Sequence, residues 1–573
     1  MVVDMSEEEK RMDRRTYAKY AGTAIVAAAV GGAVGYTAKK APPAPGVGPA
    51  QTVTQTVTKT VTAAAPGAAP GLGQVPILPP GVRNPYIYDE LKGAEVKALH
   101  DAFAGRILEW FDYLLEEEAG VKIGLTKLVD IPMLKDEGMS LLEAKATDFP
   151  LIQITPSFIA DFSLTGKIEP LDDYYKRFYK AITPEYNEYL TQVLPPYVEF
   201  YMKYKDKIWT IPFDGDVHLW NYLVPFYTKD EFKNEYKNWH PERKPLTLPE
   251  TWDDYIMQCK FFAERVLPDD KTIPGAEVLW PTMITVAPPW GWAFFYNFAA
   301  SYGVSYFDKN MEHALWPRDR AVEALKKVVE LVPYCPEGVA SFGTSETVEY
   351  WLAGKVVNQI WWIDINEWGQ VDPVKGLLAN HLMPGYPDPE KGVVVHRAMM
   401  PYNRTWVIPN YLDEKTKKAA FYVAFHVSHW DYSIYHVADY DCGMDPYMYV
   451  HYTDYAAWQY TKSNPLKRPS EEWPHTEPLF PTFEMARKHL DGGLANMAVG
   501  YPQPTFPGTI EFQESLSREF QQAMGGKDPA KAIDDAASSW EDTRDKYMDI
   551  VGKDEYLAIW KDFNNKMVRL GYA

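Results

Sequence analysis

Hydrophobic positions follow two periods in turn along the early part of the chain. Glu95–Leu99 reads as a first strand, closed by His100 and Asp101. Gly105–Ala119 then places Ile107, Leu108, Phe111, Leu114 and Leu115 on one face, the spacing of an amphipathic helix. Val121–Val129 reads as a second strand, Leu134–Ala146 as helical, and Asp148–Thr155 as a third strand. Strands alternating with helices predict an α/β fold with a mainly parallel sheet. Between Lys207 and Phe232 the pattern changes. Ile208, Trp209 and Ile211 are strand-forming, Pro212 bars helix, and Asp214-Gly215-Asp216 follows. Val217, Leu219 and Asn221 then alternate with His218, Trp220 and Tyr222, the period of a strand. Pattern alone allows either a buried strand pair with a surface turn, or a chain crossing between two lobes beside a cleft. In the second case Gly215 lets backbone approach a ligand closely.

Further along, Thr251 with Asp254 predicts a capped helix start. Asp319 is expected to cap another helix. Phe342–Asp364 reads as a helix ending at Gly354-Lys355, then the strand Val356–Ile363. Asp413–His429 reads as a helix. Asp528 and Pro529 read as cap and first residue of a C-terminal helix whose stripe is Ile533, Ala537, Trp540, Tyr547 and Ile550.

The amino terminus is of another kind. Asp13-Arg14-Arg15-Thr16-Tyr17-Ala18-Lys19 resembles the twin-arginine export motif and stands before the apolar run Ala21–Ala38. That run is at the short limit for a bilayer span of roughly 17–25 residues. Basic residues before it place the amino terminus inside the cell. Tyr36 is too large for a cleavage site ending at Ala38, so 1–40 is expected to stay as an uncleaved anchor. Residues 41–83 form a stalk, with a Thr-Val-Thr repeat over Gln51–Thr62 that cannot bury a core. The body then occupies 84–573, with one lobe at about 84–212 plus later returns. The other lobe takes about 217–380 plus the C-terminal helices.

Composition sharpens this picture at two points. A formal net charge of -20 argues against nucleic acid and anionic lipid as partners. The 19 Trp, 39 Tyr and 25 Phe supply flat rings on which apolar sugar faces stack, although burial is their commonest use. Cys259, Cys335 and Cys442 form no CxxC, which leaves one disulfide with a free thiol, or three buried thiols.

The phrases IPFDGDVHLWNY…TKDEF, GKIEPLDDY, TWDDYIMQCKFF, WLAGKVVNQIWWID, LMPG and GMDPYMYVH resemble segments of the sugar-binding solute-binding proteins, extracellular family 1, of ABC importers. The resemblance covers most of the chain after the stalk. It implies a two-lobed periplasmic-binding-protein-like fold (type II) with hinge-crossing strands, and a receptor on the extracellular face that hands a carbohydrate larger than one ring to ABC permease subunits. It implies no enzyme activity, no cofactor and no metal. Candidate ligand contacts begin with Asp214 and Asp216, whose carboxylates can accept from hydroxyl pairs. Trp290 and Trp292 lie two apart and would face one way if the turn they occupy is extended. One is expected to stack on ligand and one to sit in the core, with Trp292, which matches the family aromatic, as the ligand contact. Trp362 and Asp364 match its W-x-D at the carboxyl end of a strand, where ligands of open sheets bind, and Trp361 is expected in the core. His100 and Asp101 end the first strand and Phe158 lies beyond the third. Tyr447 and Arg404 complete the set, with Met448 standing where the family pattern has Arg.

Two other classes stay open. A secreted glycoside hydrolase would need two carboxylates about 5–9.5 Å apart across the bond, a part open to Asp214 and Asp216. A cell-surface adhesion protein would use the stalk as its functional part. GxSxG, HExxH, P-loop and GxGxxG motifs are absent. Asp439, Asp441 and Asp445 have faint calcium spacing without the closing Glu. Asn403-Arg404-Thr405 is a glycosylation sequon.

Overall fold

Two mixed sheets organise the body. A computed structural model describes residues 90–572 apart from 125, 176–188, 268–272, 467–474 and 476. The expected anchor at 1–40 and stalk at 41–83 lie outside the described residues, among which no helix is long and apolar enough to cross a membrane. The first sheet runs Lys127–Leu128, Ala98–His100, Leu151–Ile154, Thr405–Val407, Ile211–Pro212. Its first three strands are parallel, joined by the helices Ala102–Ala119 and Leu134–Glu143, whereas Thr405–Val407 runs antiparallel to both neighbours. The second sheet runs Trp280–Met283, Val356–Trp362, His218–Leu223, Leu378–His381. Here a single parallel pair precedes the antiparallel strands. The expectation of a mainly parallel fold therefore holds for part of each sheet. The antiparallel strands are those next to the passages between sheets, which return the chain rather than wind it through another helix.

Alternation explains how a short strand can serve two cores. In Leu151–Ile154, Leu151 faces the main hydrophobic core, while Ile152 and Ile154 join Leu99, Leu134, Leu142, Phe158, Phe162, Ile168 and Val407 in a separate cluster on the other face. Both faces are covered, so the strand is buried throughout. Several elements are shorter than the hydrophobic pattern implies. The second strand is reduced to Lys122–Ile123 and Lys127–Leu128.

Caps fall where side-chain chemistry puts them. Asp101 caps Ala102–Ala119, accepting from the backbone N–H groups of Phe103 and Ala104. Thr251 and Asp254 form a full capping box, and Asp528 caps Pro529–Val551. Asp319 instead lies inside the first turn of Arg318–Val329, whose cap position is Pro317. Ile550 is 65% exposed, outside the stripe expected to bury it, while Met548 and Val551 at the same end of the helix pack against the core instead. All three cysteines are buried, and burial raises the pKa of the Cys259 and Cys335 thiols.

The chain passes from the first sheet to the second through Phe213–Val217 and returns between His381 and Thr405. Asp214-Gly215-Asp216 thus occupies a crossing and is buried there, not exposed on a surface turn. Among the described residues the two halves pack as one compact unit.

Candidate functional site

A single guanidinium gathers the carboxylates of the crossing. Arg404, just before the first-sheet strand Thr405–Val407, is 8% exposed. Its Nε donates to Asp101 Oδ2 at 2.7 Å, and one terminal nitrogen donates to Asp214 Oδ2 and lies 3.8 Å from Asp216 Oδ2. The guanidinium also lies over the Phe103 ring, 5.1 Å from its centre. Asp101 comes from the end of a strand, Asp214 and Asp216 from the crossing, so one cation ties both together.

These acids differ in how well they are satisfied. Asp214 Oδ1 accepts from the backbone N–H of Gly215 at 2.9 Å and of Asp445 at 2.7 Å. Asp101 has its two capping bonds as well as Arg404. Burial pushes the Asp101 carboxyl up, but Arg404 and the Ala104 N–H outweigh it and hold the pKa below the usual value. Asp445, fully buried, has both side-chain oxygens without a partner, and Asp364, 7% exposed, has Oδ1 without one. Burial first and Asp214 next raise the Asp364 carboxyl to about 8. Asp216 is pushed well up by burial and then by Asp214, and Asp445 by burial and then by Asp364. Glu367 is raised by burial and by Asp364, with His489 Nε2 at 3.1 Å from its Oε1.

An aromatic wall stands beside this cluster. Trp290 lies 4.4 Å from Tyr402 and 6.2 Å from Trp362 between ring centres, with Trp362 to Tyr402 at 6.1 Å. Trp290, Tyr402 and Phe158 line a narrow crevice with Thr155, Gln513 and Glu514. Phe158 and Thr155 come from the first sheet's side, Gln513 and Glu514 from the helix Thr509–Met524. Tyr402 has φ of +70°, a left-handed conformation unusual for a bulky residue. Its N–H donates to Gln503 Oε1 at 3.0 Å and its hydroxyl to Pro289 O at 2.9 Å, which hold it there.

The structure sorts the candidates. Asp101, Asp214, Asp216, Asp364 and Arg404 come together, and Trp290, Trp362 and Phe158 stand nearby. His100 is buried behind them, its Nδ1 2.6 Å from Asp101 O and its Nε2 without a partner. Trp292 is fully buried in the helix Gly291–Ser301, where its Nε1 donates to the Tyr402 hydroxyl at 2.9 Å. One of the pair is thus core and the other lines the crevice, but with the roles exchanged: Trp292 is the buried one, because helix replaces an extended turn after Trp290. Tyr447 is also core, its hydroxyl bonded to Ser428 O. Strict alternation does not carry Asp364 to the Trp362 side, since the strand ends at Trp362 and Asp364 already has helical backbone angles just before the helix Ile365–Trp368, with no side-chain capping bond. A Cβ on Gly215 would lie 2.3 Å from Pro446 O, so what approaches this glycine is the chain's own Pro446–Tyr447 segment. Asn403 is fully buried with its side-chain nitrogen bonded to Met400, Pro401 and Asp216 carbonyls, and the sequon is inaccessible.

Asp445, Tyr402, His218 and Gln503 were missing from the sequence candidates. Only Asp445 carried a signal, as the acid of GMDPY, and the faint calcium spacing obscured it.

No protein-family model and no curated protein matches the chain. Solved structures do. An ABC transporter solute-binding protein from Agrobacterium radiobacter K84, in complex with ribitol, superposes with a TM-score of 0.58 at 16% identity, covering 79% of this chain and 99% of that one. Maltose-bound MalE3 of T. maritima gives 0.57 at 15%, covering 78% and 99%. Lmo0181 of Listeria monocytogenes, an ABC substrate-binding protein in complex with cycloalternan, gives 0.56 at 14%, covering 78% and 98%. At these identities the likeness is one of fold: the body has the two-lobed α/β architecture of MalE-like solute-binding proteins.

Proposed function

We propose that this protein is the outward-facing solute receptor of an ABC importer, capturing a carbohydrate between its two halves and presenting it to a membrane permease. The observation that carries this reading is the crossing at Asp214–Asp216. Buried acids there meet Asp364 from the end of a second-sheet strand, beside an aromatic wall of Trp290, Trp362 and Tyr402. Carboxylates accept from sugar hydroxyls and flat rings cover apolar sugar faces. Fold neighbours bound to ribitol, maltose and cycloalternan support the ligand class.

The chemistry needed is binding, not bond breaking. Asp101 and Asp214 are tied up by Arg404 and backbone N–H groups, leaving Asp216, Asp364, Asp445, Trp290 and Trp362 to meet a guest. A ligand that touches both halves favours the closed arrangement by its differential affinity for it, and the permease reads that population shift. The N-terminal segment, with its twin-arginine-like motif and apolar run, would export the chain and hold it on the outer face of the membrane by a Thr-rich stalk. Melting curves against an oligosaccharide panel test the reading. At about a hundred times Kd, a bound sugar stabilises the fold by ~2.7 kcal/mol and shifts Tm upward. Identical curves for every saccharide would contradict it.

A further inference from the structure

The buried acids of the crossing outnumber the cations available to them. Asp214, Asp216, Asp364 and Asp445 interact electrostatically with one another, and among the described residues Arg404 is the cation that faces Asp214, Asp216, Asp364 and Asp101. Glu367 adds a sixth carboxyl, with the neutral imidazole of His489 as its partner. Asp101 and Asp214 engage Arg404 directly, whereas Asp445 and Asp364 have side-chain oxygens with no partner at all. Unpaired carboxylates at such burial are costly unless a cation or a proton joins them.

Other unpartnered groups mark the same place. Asn403 donates its amide to Asp216 O but leaves Oδ1 without a partner, fully buried. His218, two residues beyond Asp216, takes the Asn297 amide on Nδ1 and so carries its proton on Nε2, which has no acceptor. Trp362, two residues before Asp364, packs edge to face on His218 at 4.7 Å and has a buried, unpartnered Nε1–H. Donors and acceptors are thus both free around the crossing, the acceptors being chiefly acids. A shared metal ion suits this less well. Among the described residues, the three metal-ligating side chains whose donor atoms all come within 4.8 Å of one another are Asp308, Glu312 and His313, elsewhere in the fold.

We propose that the solute is a polyhydroxylated molecule carrying a protonated amine, an amino sugar or its oligomer, whose ammonium is seated among Asp216, Asp364 and Asp445. This deepens the carbohydrate reading and rests on it. Hydroxyls would use Trp362 Nε1, His218 Nε2 and Asn403 Oδ1. The ammonium supplies the charge that the acids lack, and with it the force that draws the two halves together around them. In the empty site burial first, then repulsion between the acids, raises the Asp216, Asp364 and Asp445 carboxyls, which favours their neutral, protonated forms. An arriving cation must expel those protons, so binding releases protons to solvent.

Calorimetry on the full chain tests this with four probes: glucosamine trimer, its N-acetylated counterpart, maltotriose and spermidine. Titrations at pH 7 in buffers of different ionisation enthalpy count the protons. Glucosamine trimer is expected to bind about tenfold or more tighter than the acetylated trimer, the size of one charge-assisted bond, with net proton release. Asp445→Asn should erase most of that preference, and Asp364→Asn, a second variant should the first fail to fold, should diminish proton release. An acetylated trimer or maltotriose that binds as well as the amine overturns the cation inference and leaves the sugar receptor standing. Spermidine binding without any sugar binding upholds the cation site and overturns the carbohydrate reading. Silence from all four probes overturns both.

Discussion

Replacing Arg404 shows how much depends on one side chain. Arg404→Met would leave Asp101 and Asp214 buried beside each other without their cation, a change expected to cost ~3–5 kcal/mol and visible as a large fall in Tm. Asp364 behaves in the opposite sense. Its folded-state pKa of about 8 lies above its ordinary 3.8, so the folded chain holds a proton that the unfolded chain has lost. Its contribution is fully favourable below the unfolded value and declines as pH rises from about 4 towards 8. The groups facing it are Asp214, Asp216, Asp445, Glu367 and Arg404, and burial first, then Asp214, sets the window. Asp101, held low by Arg404, loses its stabilising effect only as pH falls below the usual carboxylate range. Asp364→Asn should therefore stabilise the empty protein on the order of 1–3 kcal/mol at pH 8 and hardly at pH 4, read by denaturant melts at both pH values. Part of this was legible in the sequence. Asp214 and Asp216 stood out because two acids flank a glycine after a proline-stopped strand. Arg404 did not, because nothing local distinguishes a buried hub from a surface ion pair, and its partners lie 303 and 190 residues away.

At the scale of elements, the crossing is held by close backbone approach. Gly215→Ala would drive a Cβ into Pro446 O, a backbone atom that cannot swing aside. A loss of ~2–4 kcal/mol is expected, with weaker ligand binding because Asp445 is carried on the same segment. Thr251→Ala, by contrast, removes only a capping box remote from the crossing, and should cost ~1 kcal/mol without altering binding. Denaturant titrations and calorimetry on both variants separate the two effects. Capping chemistry was readable at Thr251 and Asp528 because it depends on neighbours three residues apart. The helix at Gly291–Ser301 was harder to place: Trp290 and Trp292 share an apolar stretch in which every residue of the helix is buried, so no polar face marks the period. Strand length was overestimated at Val121–Val129, where among the described residues only Lys122–Ile123 and Lys127–Leu128 pair, on either side of Gly124.

On the scale of the whole molecule, two sheets with matched mixed topology are joined by passages, one of which carries Asp214 and Asp216, and the halves meet across a crevice walled by Trp290, Tyr402 and Phe158. Two lobes could be anticipated from alternation in two blocks and from the resembled phrases. The antiparallel strands beside the passages could not, because pairing direction is set by the route of the chain, not by residue pattern. The central claim is that a saccharide is held between these halves by rings and carboxylates together. Isothermal titration of the saccharide giving the largest melting shift, into the intact chain and into Trp362→Ala, tests it most directly. The account predicts one ligand per chain and a loss of about tenfold or more in affinity for Trp362→Ala, the scale of a lost stacking contact in a desolvated site. Equal affinity in the two proteins, or no saccharide binding in either, would contradict it.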